Sequence, residues 1–551
     1  MEYSLAEVQD AIGTAVPDRE AIVFGDRRFT YGELRDRSRR LANALLARGL
    51  GVRQPRCELS GHESGQDHLA IYCYNGNEYV EAMLGAFKAR VAPLNVNYRY
   101  VAEELLYLLT DSQARAIVYH AEFAPVLEKI LPQLAQLEVL IQVADDSGNA
   151  LLPGAVDYET ALGEASDARP DVEWSPDDLY ILYTGGTTGM PKGVLWRSAD
   201  IFVAAMGGRK MDGSEHDSLE AIVEAARAGG SGRTLPAPPL MHGASQWVTF
   251  GMMAGGGTIV LQEEVRRLDG DDVVATIERE QVGVLVIVGD AFARPILDAM
   301  HRGKERGADL SCLTVVGSGG APLSAANKKE FIDLFPELIV MDSIGSSETG
   351  GQATNPSSKA GGISTGDFLP NPFAGVISED LSRALLPGDA EMGWFAQKGR
   401  VPLGYLGDPE KTARTFPNIE GTRWSIPGDR AHFHDDGRIE VLGRDSVTIN
   451  SGGEKIFAEE VEGAIKLHPA VYDCVVCGRT SERWGQEVTA IVKLREGESA
   501  TEDELRAECE KHIARYKLPK AILFRDEIVR SPSGKADYRW AKQQVEPPEE
   551  S

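Results

Sequence analysis

Twelve residues, Tyr183-Thr-Gly-Gly-Thr-Thr-Gly-Met-Pro-Lys-Gly-Val194, put four glycines, three threonines and a lysine directly behind the apolar run Leu179 to Tyr183. Such a composition suits the holding of a polyphosphate. Glycines let backbone N–H groups turn toward an anion, threonine hydroxyls add donors and a lysine adds charge. Thr184, Gly185, Gly186, Thr187, Thr188, Gly189 and Lys192 are therefore candidate phosphate ligands. The segment is not the P-loop of kinases and GTPases, whose Gly-Lys-Ser/Thr ending it lacks.

The elements that must position this chemistry follow from the apolar pattern. Val282 to Val288, Leu313 to Val316 and Leu338 to Met341 read as buried strands, separated by helices over Ala291 to His301 and Leu323 to Phe335. Alternation of this kind predicts α/β layers. Gly317-Ser-Gly-Gly320 and Ser343-Ile-Gly-Ser-Ser347 then follow the carboxyl ends of strands, where such sheets bind ligands. The chain changes character near Gly443-Arg-Asp-Ser446, and about 100 further residues carry their own strands (Asp473 to Gly478, Glu487 to Lys493) and a helix over Glu502 to Tyr516. The expected fold is a large α/β region with a β subdomain over residues 1–443, followed by a small mobile α+β domain over 444–551.

In order along the chain stand the phosphate loop, Gly317-Ser-Gly-Gly-Ala-Pro322, Gly345-Ser-Ser-Glu348, Pro427-Gly-Asp429, Gly443-Arg-Asp445, Gly452-Gly-Glu-Lys455 and Ser533-Gly-Lys535. This series resembles the adenylate-forming superfamily of acyl-CoA synthetases, aryl-CoA ligases, luciferases and peptide-synthetase adenylation domains. The resemblance spans essentially the whole chain. It implies activation of a carboxylic acid by ATP to an acyl-AMP, then transfer to the thiol of coenzyme A after the small domain rotates.

By that resemblance Glu348 holds Mg²⁺, for which a hard oxygen ligand is suited. Asp429 accepts from both ribose hydroxyls and Arg444, 15 positions on, offers its planar fork to the same sugar. Adenine lies against Gly319, Gly320 and Ala321, near Asp342 and Ser343, with Ser347 in a place that is usually threonine. Lys535 bridges the acid and the α-phosphate, two anions whose repulsion only cations and oriented donors offset. Gly452 and Gly453 pass the pantetheine path, with Lys455, Lys517 and Lys520 as candidates for the CoA phosphates. Two departures are Ile344, where an aromatic residue often precedes the Gly-x-Thr-Glu pattern, and Ser446 at the usual Asp or Lys hinge position. Taken with Tyr538-Arg-Trp-Ala-Lys542, the motifs look most like actinobacterial fatty-acid and steroid side-chain ligases.

The acid pocket is expected around His242, Gly243, Gln246, Trp247, Gly289, Asp290, Ala291 and Phe292, with His242 beside the acid. Small residues there imply a deep apolar channel. Asp290 alone argues for a substrate amine. A fatty or steroid side-chain acid is the first reading; the alternatives are an aryl-CoA ligase and an acyl-AMP ligase that loads a carrier protein.

A net charge of −27 disfavours nucleic acid and anionic membrane as partners. ATP, CoA and the acid are the expected partners, and a homodimer is compatible with the reading. Cysteines at 57, 73, 312, 474, 477 and 509 follow no disulfide spacing; Cys474 and Cys477 should face opposite sides of a strand. The start, Met1-Glu-Tyr-Ser-Leu-Ala-Glu, has neither the basic residues nor the apolar core of a signal peptide, so a cytoplasmic location is expected. Residues 51–68 form a polar interruption of unassigned role, and 207–234, with a short helix around Leu219 to Ala228, read equally as a lid over the acid or as a solvent-exposed loop.

Glu348→Gln should lower acyl-AMP formation by about 10²-fold or more. ATP–pyrophosphate exchange at varied magnesium checks this, and an unchanged rate and magnesium dependence would remove Glu348 from the site.

Overall fold

Strands that are apolar along their whole length have no face to offer solvent, and they assemble here into parallel sheets covered by helices. The computed structural model of the protein describes residues 2–184, 190–210, 212–230, 232–451, 454–481, 483–531 and 534–546. In a first sheet Glu20–Phe24, Thr258–Leu261, Arg233–Pro236, Val284–Ile287, Val315–Gly319 and Ile339–Ser346 lie side by side in parallel. Helices Gly270–Glu280, Gly289–Glu305 and Ala325–Leu334 pack on them through Val273, Ile277, Ile296, Leu297 and Phe331. Past Ile339–Ser346 the sheet turns antiparallel through Gly350–Ser357, Asp367–Pro370, Ile439–Arg444, Asp429–Phe433 and Gly393–Lys398. That portion has its own small core around Val376, Phe395 and Ile439.

A second sheet joins His68–Tyr72, Ala92–Asn95, Ala116–His120, Val139–Val143 and Leu179–Thr184 in parallel, fully buried apart from Thr184 at its end. Lys192–Arg197 returns antiparallel against Leu179–Thr184, and Gly404–Tyr405 pairs with its outer edge. A third sheet begins at Ile449–Ser451, just beyond Arg444, and is dominated by the hairpin of Val471–Ser481 and Gly485–Leu494. Ala521–Phe524 joins it in parallel. Cys474 faces one apolar cluster of this sheet and Cys477 the other, as alternation requires.

The helix expected over 502–516 ends at Cys509. Arg506 donates from there to the carbonyls of Pro519 and Lys520, folding the chain back so that Ala521–Phe524 can reach the sheet. Residues 51–68 close on themselves through the Val52 and Gln66 bridge and dock on the loop after Val401, where Gly407 N donates to His62 O at 2.8 Å. Helix Leu219–Ala228 buries Ile222 and Ala226 against helix Leu5–Ala15, and Arg19 holds the Ala226 carbonyl. Gly229 abuts Gly255, at the end of helix Gly243–Ala254 remote from His242, so this helix does not form a lid over the acid side.

His120 shows how the sheet's burial sets a pH dependence. Its Nδ1 accepts from Tyr74 N at 3.1 Å, and burial drives its pKa from the ordinary value down to about 4. A depressed histidine contributes stability that is complete above the unfolded value near pH 6.5 and drains away as pH falls toward 4. His120→Asn should remove this component, flattening the fall in thermal midpoint between pH 6.5 and 4 by an amount equivalent to roughly 3 kcal/mol. Parallel curves for the two proteins would show that His120 is not buried neutral.

Candidate active site

Three elements of the first sheet end at one cleft. Gly319 ends its strand in register with Ser343 of the parallel strand Ile339–Ser346, and Gly320 follows with φ of +88°. A methyl group on Gly319 would come within 3.2 Å of the Ser343 carbonyl, so the two strands lie nearly in contact there. Asp342 points away from any free role: its carboxylate meets Lys328 Nζ at 3.0 Å, and Lys328 also donates to Ser364 O. Burial raises the Asp342 pKa against the pull of that ammonium.

Glu348 stands at the turn between Ile339–Ser346 and Gly350–Ser357. Its backbone is fixed on both sides, by Ser425 Oγ donating to Glu348 O at 2.6 Å and by Trp196 Nε1 donating to Ser347 O at 2.8 Å. Its carboxylate accepts from the Tyr405 hydroxyl at 2.8 Å. Burial first, then the Glu348 charge, push the Tyr405 pKa well up, so this phenol stays a donor. Lys411 Nζ lies 4.0 Å from the centre of the Tyr405 ring.

Asp429 and Arg444 face each other on neighbouring antiparallel strands, with Arg444 Nε 3.3 Å from Asp429 Oδ1. Their spacing of 15 residues is thus the length of one hairpin. The Asp429 carboxylate raises the Arg444 pKa further. Glu459, on helix Ala458–Ile465, reaches back toward Gly443, and burial followed by the charges of Glu462 and Asp429 lifts its pKa to about 7.

Lys535 comes to the same cleft from the far end of the chain. A methyl group on Gly320 would sit 4.0 Å from its Cε. Gly534, at φ of +74°, leaves room for only a hydrogen against Val288 O, Ala291 and Phe292. The residue as a whole is exposed along the cleft, while neighbouring protein atoms crowd its ammonium. Poor hydration there and the neighbouring cation of Arg444 depress its pKa, while Glu348, Asp429 and Glu459 act in the opposite sense.

Thr184 and Lys192 pair across the strands that close the phosphate loop; Gly185, Gly186, Thr187, Thr188 and Gly189 lie outside the described residues, as do Gly452 and Gly453. Lys192 Nζ is 3.6 Å from Asp111, which outweighs partial burial and keeps the lysine charged. Lys455 is turned to Glu379 at 3.4 Å.

His242 begins helix Gly243–Ala254, and its Nε2, like Trp247 Nε1, is buried without a hydrogen-bond partner among the described residues. Burial, Lys535 and Arg99 together bring its pKa to about 3, so it is a neutral imidazole. Gly243 lies against Leu182, and Gly289 (φ +53°) against the Pro322 carbonyl. A cavity of about 170 Å³ is walled by Arg99, Gln262, Arg267, Arg530 and Gly534, with Ala291 and Phe292 lining it among the residues expected around the acid. Asp290 is committed elsewhere. It accepts from Ser324 N and Asn327 Nδ2 and pairs with Lys466, which leaves no carboxylate for a substrate amine.

The model for the AMP-binding enzyme family matches residues 10–381, and that for the AMP-binding enzyme C-terminal domain matches 460–535. The chain belongs to the AMP-binding enzyme family. Among its relatives, a medium-chain acyl-CoA ligase, Mig, of Mycobacterium avium is 56% identical over 98% of each chain. A 3-oxocholest-4-en-26-oate–CoA ligase of Rhodococcus rhodochrous is 40% identical over 99% of this chain and 96% of its own. Of solved structures, an anthranilate CoA ligase with anthranoyl-AMP bound shares the fold with a TM-score of 0.82 at 20% identity, covering 99% of this chain and 98% of its own.

Among the AMP-binding enzyme motifs the structure gathers Gly319, Gly320, Ser343, Glu348, Asp429, Arg444 and Lys535 around one cleft, with His242 at its side. Sequence reasoning missed Tyr405, Asp111, Glu459 and the Lys466 contact. Only spatial neighbourhood marks Tyr405, which lies 57 residues from the carboxylate it supports.

The cation crowding on Lys535 has a measurable consequence. Arg444→Met should move the Lys535 pKa upward, since a positive neighbour is lost. Competitive labelling of lysines across a pH series, read by mass spectrometry, checks the direction; a downward shift or none would place Arg444 outside the field of Lys535.

Proposed function

We propose that the protein is an ATP-dependent carboxylic acid:CoA ligase that forms an acyl-AMP and then an acyl-CoA, acting on a fatty or steroid side-chain acid. The observation that carries this reading is the position of Lys535. It is brought by the small domain against Gly320 and into the combined field of Glu348, Asp429 and Arg444. That is the place for a cation that must sit between a carboxylate and an α-phosphate. Full-length relatives that are medium-chain and 3-oxocholest-4-en-26-oate CoA ligases support the substrate class. The engagement of Asp290 by Lys466 supports an acid without an amino group.

The geometry supports the following division of labour. Asp429 takes the ribose hydroxyls, and Arg444, oriented by Asp429, keeps the sugar and the domain junction together. The strands at Gly319 and Ser343 offer adenine a flat backbone surface, with aliphatic Ile344 beyond it. Thr184 and Lys192 brace the phosphate loop, and Asp111 keeps Lys192 protonated until the anion arrives. Neutral His242 lies beside the acid carboxylate without adding charge.

The residues present suit Mg²⁺. Groups of three or more metal-ligating side chains are absent among the described residues. Glu348 alone, fixed by Tyr405, matches a cation that ordinarily takes one or two carboxylates together with substrate phosphates and water. When bound, the ion would neutralise charge on the departing pyrophosphate. Residues 1–443 act as the adenylation domain and 444–551 as the moving lid, which carries Lys535 away before CoA enters past Gly452, Gly453 and Lys455. The lack of disulfides among the six cysteines suits a cytoplasmic location, and no described helix is long and apolar enough to cross a membrane.

A panel of acids assayed for ATP-dependent pyrophosphate release tests the substrate class. Lys535→Ala tests the mechanism. It should lower acyl-AMP formation by about 10²- to 10³-fold yet convert supplied acyl-AMP and CoA to thioester near the parent rate. Equal slowing of both half-reactions would refute a role confined to the first.

A further inference from the structure

Four buried charges of alternating sign run from the large domain to the loop of Lys535. Asp290 stands in the first turn of helix Gly289–Glu305, and its Oδ2 lies 3.4 Å from Lys466 Nζ, with the two side chains 7% and 10% exposed. Lys466 caps the carboxyl end of helix Ala458–Ile465, a favourable place for a cation, and is also 3.4 Å from Asp473 Oδ1. Asp473 is held by both arms of Arg530, at 2.7 Å each. Arg530 in turn donates from Nη1 to Gly534 O at 3.1 Å, beside Lys535.

The chain of contacts is mechanically complete. Gly534 is pinned from below by Arg530 and from above by Val288, Ala291 and Phe292 of the helix that carries Asp290. Within the small domain the links from Lys466 to Arg530 are internal. Among the four charges, the ion pair of Lys466 with Asp290 crosses to the large domain, and Arg530 also feels the Asp290 charge. Asp290 is prepared for it, because Ser324 N and Asn327 Nδ2 occupy Oδ1 and leave Oδ2 for the ammonium. A rotation that withdraws Lys535 must also part Lys466 from Asp290, so this pair stabilises one of the two arrangements and not the other.

We infer that Lys466 is a positioning residue for the first half-reaction, clamping the small domain onto Asp290 so that Lys535 is held at the cleft. This rests on the ligase reading given above. Lys466 touches no reacting group; it acts through Asp473 and Arg530. Removing the pair shifts the balance of arrangements toward the one in which Lys535 is withdrawn, and only acyl-AMP formation suffers.

Lys466→Met should slow ATP-dependent acyl-AMP formation about tenfold or more, while thioester formation from supplied acyl-AMP and CoA stays within about twofold of the parent. Lys466→Arg, which keeps the charge, should recover most of the loss. Asp290→Asn, which preserves the acceptor for Ser324 and Asn327, should reproduce the defect, and the double variant should be no slower than either single one. It also leaves no unpaired carboxylate at position 290, which guards against misfolding of Lys466→Met. Hydrogen exchange gives a reading independent of turnover: the peptide carrying Lys535 should exchange faster in Lys466→Met and at parent rate in Lys466→Arg. Additive losses, equal slowing of both half-reactions, or unchanged exchange at that peptide would overturn the clamp. Failure of the unsubstituted enzyme to make acyl-AMP from any acid would overturn the ligase reading instead, and the exchange measurement would still decide the clamp.

Discussion

In the proposed mechanism, the central physical demand on this molecule is to hold positive charge, unspent, where two anions will meet. A lysine left in a narrow cleft beside an arginine tends to lose its proton, and one placed beside a carboxylate tends to be neutralised in place. The structure balances the two. Lys535 feels the cation of Arg444 against the carboxylates Glu348, Asp429 and Glu459, while Asp429 is occupied by Arg444 and Glu348 by Tyr405. The carboxylates shape the field without capturing the ammonium. The same logic serves the phosphate loop, where Asp111 stands 3.6 Å from Lys192, close enough to keep it charged and too far for a tight pair.

That demand also explains why the fold is divided as it is. The strands that surround the cleft belong to one sheet, whose parallel and antiparallel parts each have an apolar core. Lys535 lies on a loop of the small C-terminal region, whose sheet has its own core and follows the stretch after Arg444. A cation fixed in the large sheet would remain in place when a thiol has to approach. Carrying it on a separate body allows one cleft to serve two chemistries in turn.

Much of this was legible in the sequence, for reasons that differ from residue to residue. Glycine-rich segments after apolar runs located the strand ends at Gly317–Gly320 and Ser343–Ser347 because backbone conformation and strand burial are local properties. The pairing of Asp429 with Arg444 was visible as a spacing, since a single hairpin joins them. The supports were not visible. Tyr405, Lys328 and Lys466 act on partners 57, 14 and 176 residues away, and nothing in their immediate neighbours distinguishes them from surface residues. Asp290 stood in the sequence as the one argument for a substrate amine, and the groups that claim its oxygens are ones that sequence proximity does not reveal.

The contact of Gly534 with Phe292 carries an implication for redesign. The bare α-carbon next to Lys535 rests on the same aromatic ring that the proposed function puts on the acid side of the cleft. Trimming that ring to admit a bulkier acid would also take away the surface on which the lysine loop is seated. Selectivity and turnover therefore share one side chain here, and a broadened substrate range would be accompanied by a slower first step unless the loop were given a new support.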